Sequence, residues 1–117
     1  IENSKKFSDA MEKEMAFAVH YFRTHYNTEI NIDKYAVSCN MSTSCFIRNF
    51  RNITGKTPLQ YILSLRISNA QSLLENTDYS VSEIAMNVGY DNPLYFSRLF
   101  HKQTGMSPRE YRRKRNI

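Results

Sequence analysis

Two arginines, Arg48 and Arg98, stand at matched places in two stretches of this 117-residue chain that repeat each other. An arginine on the exposed side of a helix can donate two parallel hydrogen bonds to guanine O6 and N7, the commonest specific contact in the major groove of duplex DNA. It can equally hold a phosphate, since half to two-thirds of protein–DNA hydrogen bonds go to the backbone, and both roles stay open for each arginine. Around Arg48 lie Thr43, Ser44, Ile47, Arg51 and Asn52; around Arg98 lie Leu94, Tyr95, His101 and Lys102. Ile47 and Leu94 are apolar among these polar neighbours, which suits either a thymine methyl or packing at the edge of a core. Helix N-termini expected at Ser42 and Asn92 offer backbone N–H groups to phosphates.

For those side chains to act together, each set must stand on a short helix braced by another. Residues 80–111, SVSEIAMNVGYDNPLYFSRLFHKQTGMSPREY, carry the signals for such a pair. Ser80 and Glu83 form a capping box, serine oxygen and glutamate each satisfying a backbone N–H left over at a helix start. Val81, Ile84, Ala85 and Val88 then fall on one face. Gly89 ends the helix, because glycine takes a left-handed backbone at no steric cost. Asn92 is the next cap, and Pro93 fills the first helical position, where its missing N–H costs nothing. A second helix over residues 94–104 completes a helix-turn-helix.

Residues 32–61, IDKYAVSCNMSTSCFIRNFRNITGKTPLQY, repeat this unit. Before the turn the counterparts lie 49 positions apart, as in Ile32 and Val81, Ala36 and Ala85, Cys39 and Val88, Asn40 and Gly89. After it the offset is 50, pairing Phe46 with Phe96, Arg48 with Arg98, Phe50 with Phe100, Gly55 with Gly105, Pro58 with Pro108 and Tyr61 with Tyr111. Asparagine at position 40 fits a place that elsewhere takes glycine, since it tolerates the left-handed region better than other residues with a Cβ. A helix turns about 100° per residue. With Phe46 and Phe50 inward, Ser44, Arg48 and Arg51 lie nearly opposite, and Thr43, Ile47 and Asn52 take the shoulders. With Phe96 and Phe100 inward, Leu94, Arg98 and His101 lie opposite, Tyr95 and Lys102 to the side.

The remaining elements read as supports. Met11, Met15, Ala18, Val19, Phe22 and Tyr26 recur at helical spacing, which predicts one amphipathic helix from about residue 8 to 26 after a polar segment, 1–7. Asn31 can cap the helix over 32–39, with Cys39 on its buried face. Thr57, Pro58, Leu59 and Gln60 open the longest helix, along which Leu59, Ile62, Leu63, Ile67, Ala70 and Leu74 are expected to pack. Roughly 18 residues at 1.5 Å each span about 27 Å, against ~34 Å for one turn of B-DNA, so a strut of this length suits two recognition helices in successive turns of one groove. Ser107 and Glu110 form a third box before Arg112, Arg113, Lys114 and Arg115, a basic run that tracks a phosphate backbone or forms a solvated tail. The organisation is 1–7, a first helix-turn-helix subdomain over 8–56, a linker helix over 57–76 and a second subdomain over 77–117: an all-α chain of about seven helices.

Composition limits the function. A formal net charge of +5 favours a polyanionic partner, and 41% hydrophobic with 13% aromatic residues suffice for a core. Cys39 and Cys45 fit no zinc-ligand spacing and are too few for a disulfide framework, so a cytoplasmic location is expected. No apolar run approaches the ~20 residues that span a bilayer, and no signal peptide is evident. The first residue is Ile1 and not methionine, so the expectation is either a processed chain or a piece cut from something longer. His20, His25 and His101 are scattered and no glycine-rich phosphate loop or catalytic triad is visible, so no catalytic residue, cofactor or metal is expected.

Leu65-Arg66-Ile67-Ser68-Asn69-Ala70 followed by Leu73-Leu74, then Ile84-Ala85, Val88-Gly89-Tyr90 and Tyr95-Phe96-Ser97-Arg98-Leu99-Phe100, together with the doubled unit, resemble the DNA-binding domain of AraC/XylS transcription regulators. The resemblance covers about residues 19–113. It implies a bacterial transcription factor, usually an activator, whose two recognition helices enter adjacent major-groove segments of an asymmetric site and which touches RNA polymerase. It also implies a sensing, dimerising or receiver domain ahead of this one. Carried over by position, the groove-facing residues are Thr43, Ser44, Ile47 and Arg48, then Asn92, Pro93, Leu94, Tyr95 and Arg98. Cys39, Asn40, Cys45 and Asn49 depart from the usual pattern. The rivals are a helical protein-interaction module docking through Leu94, Tyr95 and Ile47, and the DNA-reading part of a repair methyltransferase.

Overall fold

Helix signals at the level of single caps translate directly into the backbone. The computed structural model describes residues 2–115, and the side chains of residues 9–114. Among the described residues there are seven helices and no strand: α1 (Glu2–His25), α2 (Ile32–Ser38), α3 (Thr43–Thr54), α4 (Pro58–Asn76), α5 (Val81–Asn87), α6 (Pro93–Thr104) and α7 (Pro108–Arg115). Asn31 caps α2 by accepting the Lys34 amide at 3.0 Å. At α4 the capping box closes in both directions, Gln60 N–H to Thr57 Oγ1 at 3.2 Å and Thr57 N–H to Gln60 Oε1 at 3.0 Å. At α5 only one arm matches expectation: Ser80 Oγ accepts the Glu83 amide at 3.1 Å, while the Glu83 carboxylate accepts from the serine hydroxyl. Long polar side chains propagate helix well, and α1 accordingly begins by Glu2, ahead of the residue 8 start that apolar spacing predicts.

The chain divides into two units. The first comprises the chain up to His25 and Ile30–Ile62; the second comprises Tyr26–Glu29 and the chain from Leu63 on. The first unit buries Met15, Ala18, Phe22, Ala36, Phe46, Phe50 and Ile62. Its centre is a ring cluster in which Phe22 lies 5.4 Å from Phe50 and Tyr35 5.4 Å from Phe46, between centroids. The second buries Ile67, Ala70, Leu74, Ile84, Ala85, Val88, Phe96, Phe100 and Tyr111.

The repeat reaches one helix further back than the motif itself. In α1, Met15, Ala18 and Phe22 are buried; 52 residues on, in α4, so are Ile67, Ala70 and Leu74. Arg23 and Glu75 stand at the same offset, and each bonds the tyrosine that closes its unit. Arg23 Nε donates to Tyr61 Oη at 2.9 Å, and Tyr111 Oη donates to a Glu75 carboxylate oxygen. Each unit is therefore three helices plus the first turn or two of the next.

Two packing expectations change. Ile62 and Ile67 are five residues, about 140°, apart around the axis, so α4 buries no single continuous stripe; Leu59 is 67% exposed, and Pro58 is the buried residue of that first turn. Cys39 follows α2 as its C-cap and is half-buried, whereas its counterpart Val88, the C-cap of α5, is fully buried.

Candidate nucleic-acid interface

In the first unit, α2 and α3 are joined by a turn in which Asn40 takes φ 58° and the Met41 amide returns to the Ala36 carbonyl at 3.0 Å. Ser42 caps α3 through the Cys45 amide at 3.2 Å, and Gly55 ends it at φ 85°. Phe46 and Phe50, fully buried, fix the inward face. Ser44, Arg48, Arg51 and Asn52 are exposed, and with Ile47 they line a shallow hollow of about 470 Å³. Ile47 and Thr43 are half-buried. Both also line an apolar groove of about 420 Å³ completed by Ile32, Asp33, Thr57, Pro58 and Leu59. Within it Thr43 Oγ1 donates to Asp33 Oδ1 at 2.6 Å, tying the first turn of α3 to α2.

The second unit repeats the plan with different detail. Gly89 takes φ 107°, and the Tyr90 amide returns to the Ala85 carbonyl at 2.8 Å. Asn92 Oδ1 accepts two amides, Leu94 at 2.9 Å and Tyr95 at 3.1 Å, and Pro93 has none to offer. The expectation of open N–H groups at this terminus therefore fails for its first turn: the asparagine oxygen already occupies them. Pro93 is half-buried, while Arg98, His101 and Lys102 are exposed, as are Leu94 at 60% and Tyr95 at 54%. The Tyr95 ring meets Tyr90 edge-on at 5.9 Å, and Tyr90 lies beneath the Arg66 guanidinium, 4.8 Å from its ring centre.

Two arginines have structural tasks that their sequence positions do not disclose. Arg66 Nε donates to the Tyr26 carbonyl at 2.7 Å and Nη2 to that of Thr28 at 2.9 Å, fastening Tyr26–Glu29 into the second unit. The one hint was a cation flanked by Leu65 and Ile67 inside an apolar helix. Arg112, expected in the C-terminal basic run, donates to the carbonyls of Leu74 at 3.2 Å and Thr77 at 3.1 Å, satisfying acceptors left at the end of α4. Arg113 and Lys114 are exposed; the side chain of Arg115 lies outside the described residues.

Two neighbouring groups of the first unit, Cys39 and Tyr35, are shifted away from ionisation at neutral pH. Burial, with Glu14 bonded to the sulfur, pushes the Cys39 thiol up to about 11, and burial beside Cys39 and Glu14 pushes the Tyr35 hydroxyl up to about 12. A thiol that stays protonated at neutral pH is a poor nucleophile. No group of three or more His, Cys, Asp or Glu side chains that could hold a metal occurs among the described residues, and none of the described helices is long and apolar enough to cross a membrane.

The family model described as a helix-turn-helix domain matches residues 35–114. The chain is 42% identical over 94 residues to the MmsAB operon regulatory protein of Pseudomonas aeruginosa, covering 80% of this chain and 31% of that protein. It is 33% identical over 96 residues to the HTH-type transcriptional activator RhaS of Shigella boydii, covering 82% and 34%. The chain thus spans about a third of the length of these two relatives. Among solved structures it is similar to the C-terminal domain of AraT, a response regulator from Geobacillus stearothermophilus, with TM-score 0.83, 31% identity and coverage of 89% and 87%. It is also similar to the DNA-binding domain of AdpA, a global transcriptional factor in complex with a target DNA, with TM-score 0.79, 36% identity and coverage of 86% and 90%. With the family model spanning both helix-turn-helix units and both structures superposing over most of their length, the chain belongs to the AraC/XylS family of transcription regulators and corresponds to its DNA-binding domain.

Proposed function

We propose that this domain reads an asymmetric duplex DNA site as two half-sites, α3 entering the major groove of one and α6 that of the other. Ser42, Thr43, Ser44, Ile47, Arg48 and Arg51 form the first contact set, and Asn92, Pro93, Leu94, Tyr95, Arg98, His101 and Lys102 the second. The observation that carries the reading is that Arg48 and Arg98 project from matched, exposed positions on two helices whose opposite faces are anchored by buried phenylalanines. A helix of this size fits the major groove, where bidentate arginine contact selects guanine. The two helices differ in nearly every other outward residue, which favours a site without dyad symmetry.

The intact protein in this reading is a bacterial, cytoplasmic transcription activator that carries a sensing, dimerising or receiver domain ahead of this one and contacts RNA polymerase. The names of the relatives, operon regulators and activators, support this. The test is selection of bound sequences from random duplexes. An elongated, non-palindromic consensus of two half-sites about one helical turn apart is expected. A palindrome, a single short motif or no enrichment would count against it. Salt titration separates this reading from a protein-interaction module: DNA binding that neutralises several phosphates weakens steeply with salt, whereas docking of a protein partner on Leu94, Tyr95 and Ile47 does not.

A further inference from the structure

We infer that the half-site read by α6 is recognised in part through pyrimidine C5-methyl groups, with Leu94 and Tyr95 as the reading residues beside Arg98, whereas in the half-site read by α3 hydrogen bonding dominates and the half-buried Ile47 is the lesser apolar contact. The inference rests on the DNA-reading function proposed above and specifies its ligand chemistry. In a helix-turn-helix the residues at the N-terminal end of the second helix are the ones brought to the base edges. In α6 these are Leu94 and Tyr95, 60% and 54% exposed. In α3 the equivalent positions hold Ser44, exposed, and Cys45, half-buried, its Sγ accepting from the Asn49 side-chain Nδ2 at 3.3 Å.

A leucine side chain has no donor or acceptor, and the one apolar group on the floor of the major groove is the C5-methyl of thymine. The backbone that carries Leu94 is fixed. The Leu94 amide and that of Tyr95 are held by Asn92 Oδ1, and the Tyr95 ring is braced against Tyr90. The neighbouring Arg98, His101 and Lys102 are exposed and cationic or polar, so this apolar pair sits within a face suited to a polyanion. In the first unit the apolar candidate, Ile47, is instead half-buried and shared with the groove that Ile32, Pro58 and Leu59 line.

Because the contact is with the methyl, the base that bears it matters less than its presence. Cytosine methylated at C5 presents the same group at the same place, although its position 4 is a donor where thymine has an acceptor. Methylation of a cytosine standing at a thymine position of this half-site therefore strengthens binding, which would make the domain responsive to that modification.

The experiment uses the selected duplex and the 117-residue chain, with the α6 half-site identified as the one whose base preference changes in Arg98→Ala. Each thymine is replaced singly by uracil, by cytosine and by 5-methylcytosine, the last two paired with guanine, and affinity is read by fluorescence anisotropy. Uracil should weaken binding about fourfold per contacted methyl in the α6 half-site, and less than twofold in the other. The 5-methylcytosine duplex should bind about fourfold more tightly than its unmethylated cytosine counterpart. Leu94→Ala should lose the thymine–uracil difference at the methyl it contacts, while Leu94→Met keeps it. A selected sequence bound equally well with thymine and uracil overturns this inference and leaves the DNA-reading function standing, as does a methyl effect that survives in Leu94→Ala. Failure to select any sequence overturns both.

Discussion

In the first unit Phe22 and Tyr35 join Phe46, Phe50 and Tyr61 in one ring cluster, whereas the second sets Leu74 and Ile84 at the matching places beside Phe96, Phe100 and Tyr111 and takes a further ring, Tyr90, from its turn. The turns differ in the same spirit. Asn40 holds a left-handed turn at φ 58°, where a residue with a Cβ is tolerated; Gly89 sits at φ 107°. A Cβ at Gly89 would come within 3.1 Å of Arg66 Cζ and 3.2 Å of the Asn27 backbone. The caps differ too, Ser42 taking one amide and Asn92 two. What the units share is a short set of requirements: a phenylalanine pair four residues apart, an alanine where the motif helices cross, a left-handed turn, and glycine then proline beyond the second helix. That set holds the scaffold, and the outward face of the recognition helix is free to differ.

The comparison can be broken at the core first. Phe50→Ala and Phe100→Ala should each cost about 3–5 kcal/mol, the range for truncating a buried ring. Hydrogen exchange should place the loss of protection mainly in the unit that was altered. Equal deprotection of both units in either variant would mean that they fold as one.

The turns give the next largest effect. Gly89→Ala should destabilise by about 2–3 kcal/mol in urea unfolding, through positive φ and the contacts a Cβ makes. Asn40→Gly should change stability by less than about 1 kcal/mol, since glycine accepts the same backbone without strain. A Gly89→Ala cost of no more than about 1 kcal/mol would show that neither the positive φ nor the Arg66 and Asn27 contacts constrain this turn. The caps come last. Asn92→Ala should lose about 1–2 kcal/mol and Ser42→Ala about 0.5–1 kcal/mol, because the first frees two amides and the second one. A reversed order would deny the two-amide cap its weight.

Much of this was legible in the residues because it is local. Capping boxes, Pro93 and Pro108 at helix starts, and the inward Phe46/Phe50 and Phe96/Phe100 pairs depend on neighbours within four positions. The parts that resisted depend on distant partners. The carbonyls that Arg66 and Arg112 satisfy are 35 to 40 residues away in sequence. The likeness of α1 to α4 is hidden by a different offset and by changed side chains, Phe22 against Leu74 and Arg23 against Glu75. Leu59 is apolar at helical spacing from Ile62 and Leu63 yet exposed, because Pro58 takes the buried place in the first turn of α4. At the interface, the outward positions followed from helix geometry, but the two-amide cap at Asn92 and the tie between Thr43 and Asp33 did not.

The claim on which the account turns is that each unit reads its own half-site through its outward arginine. Binding-specificity profiles of Arg48→Ala and Arg98→Ala, taken on a library of single-base variants of the selected duplex, test it directly. Each variant should lose about 1–3 kcal/mol on the preferred site and lose base preference at positions confined to one half-site, a different half for each arginine. Uniform weakening across the library, with every preference retained in both variants, would contradict the account and reduce both arginines to phosphate contacts.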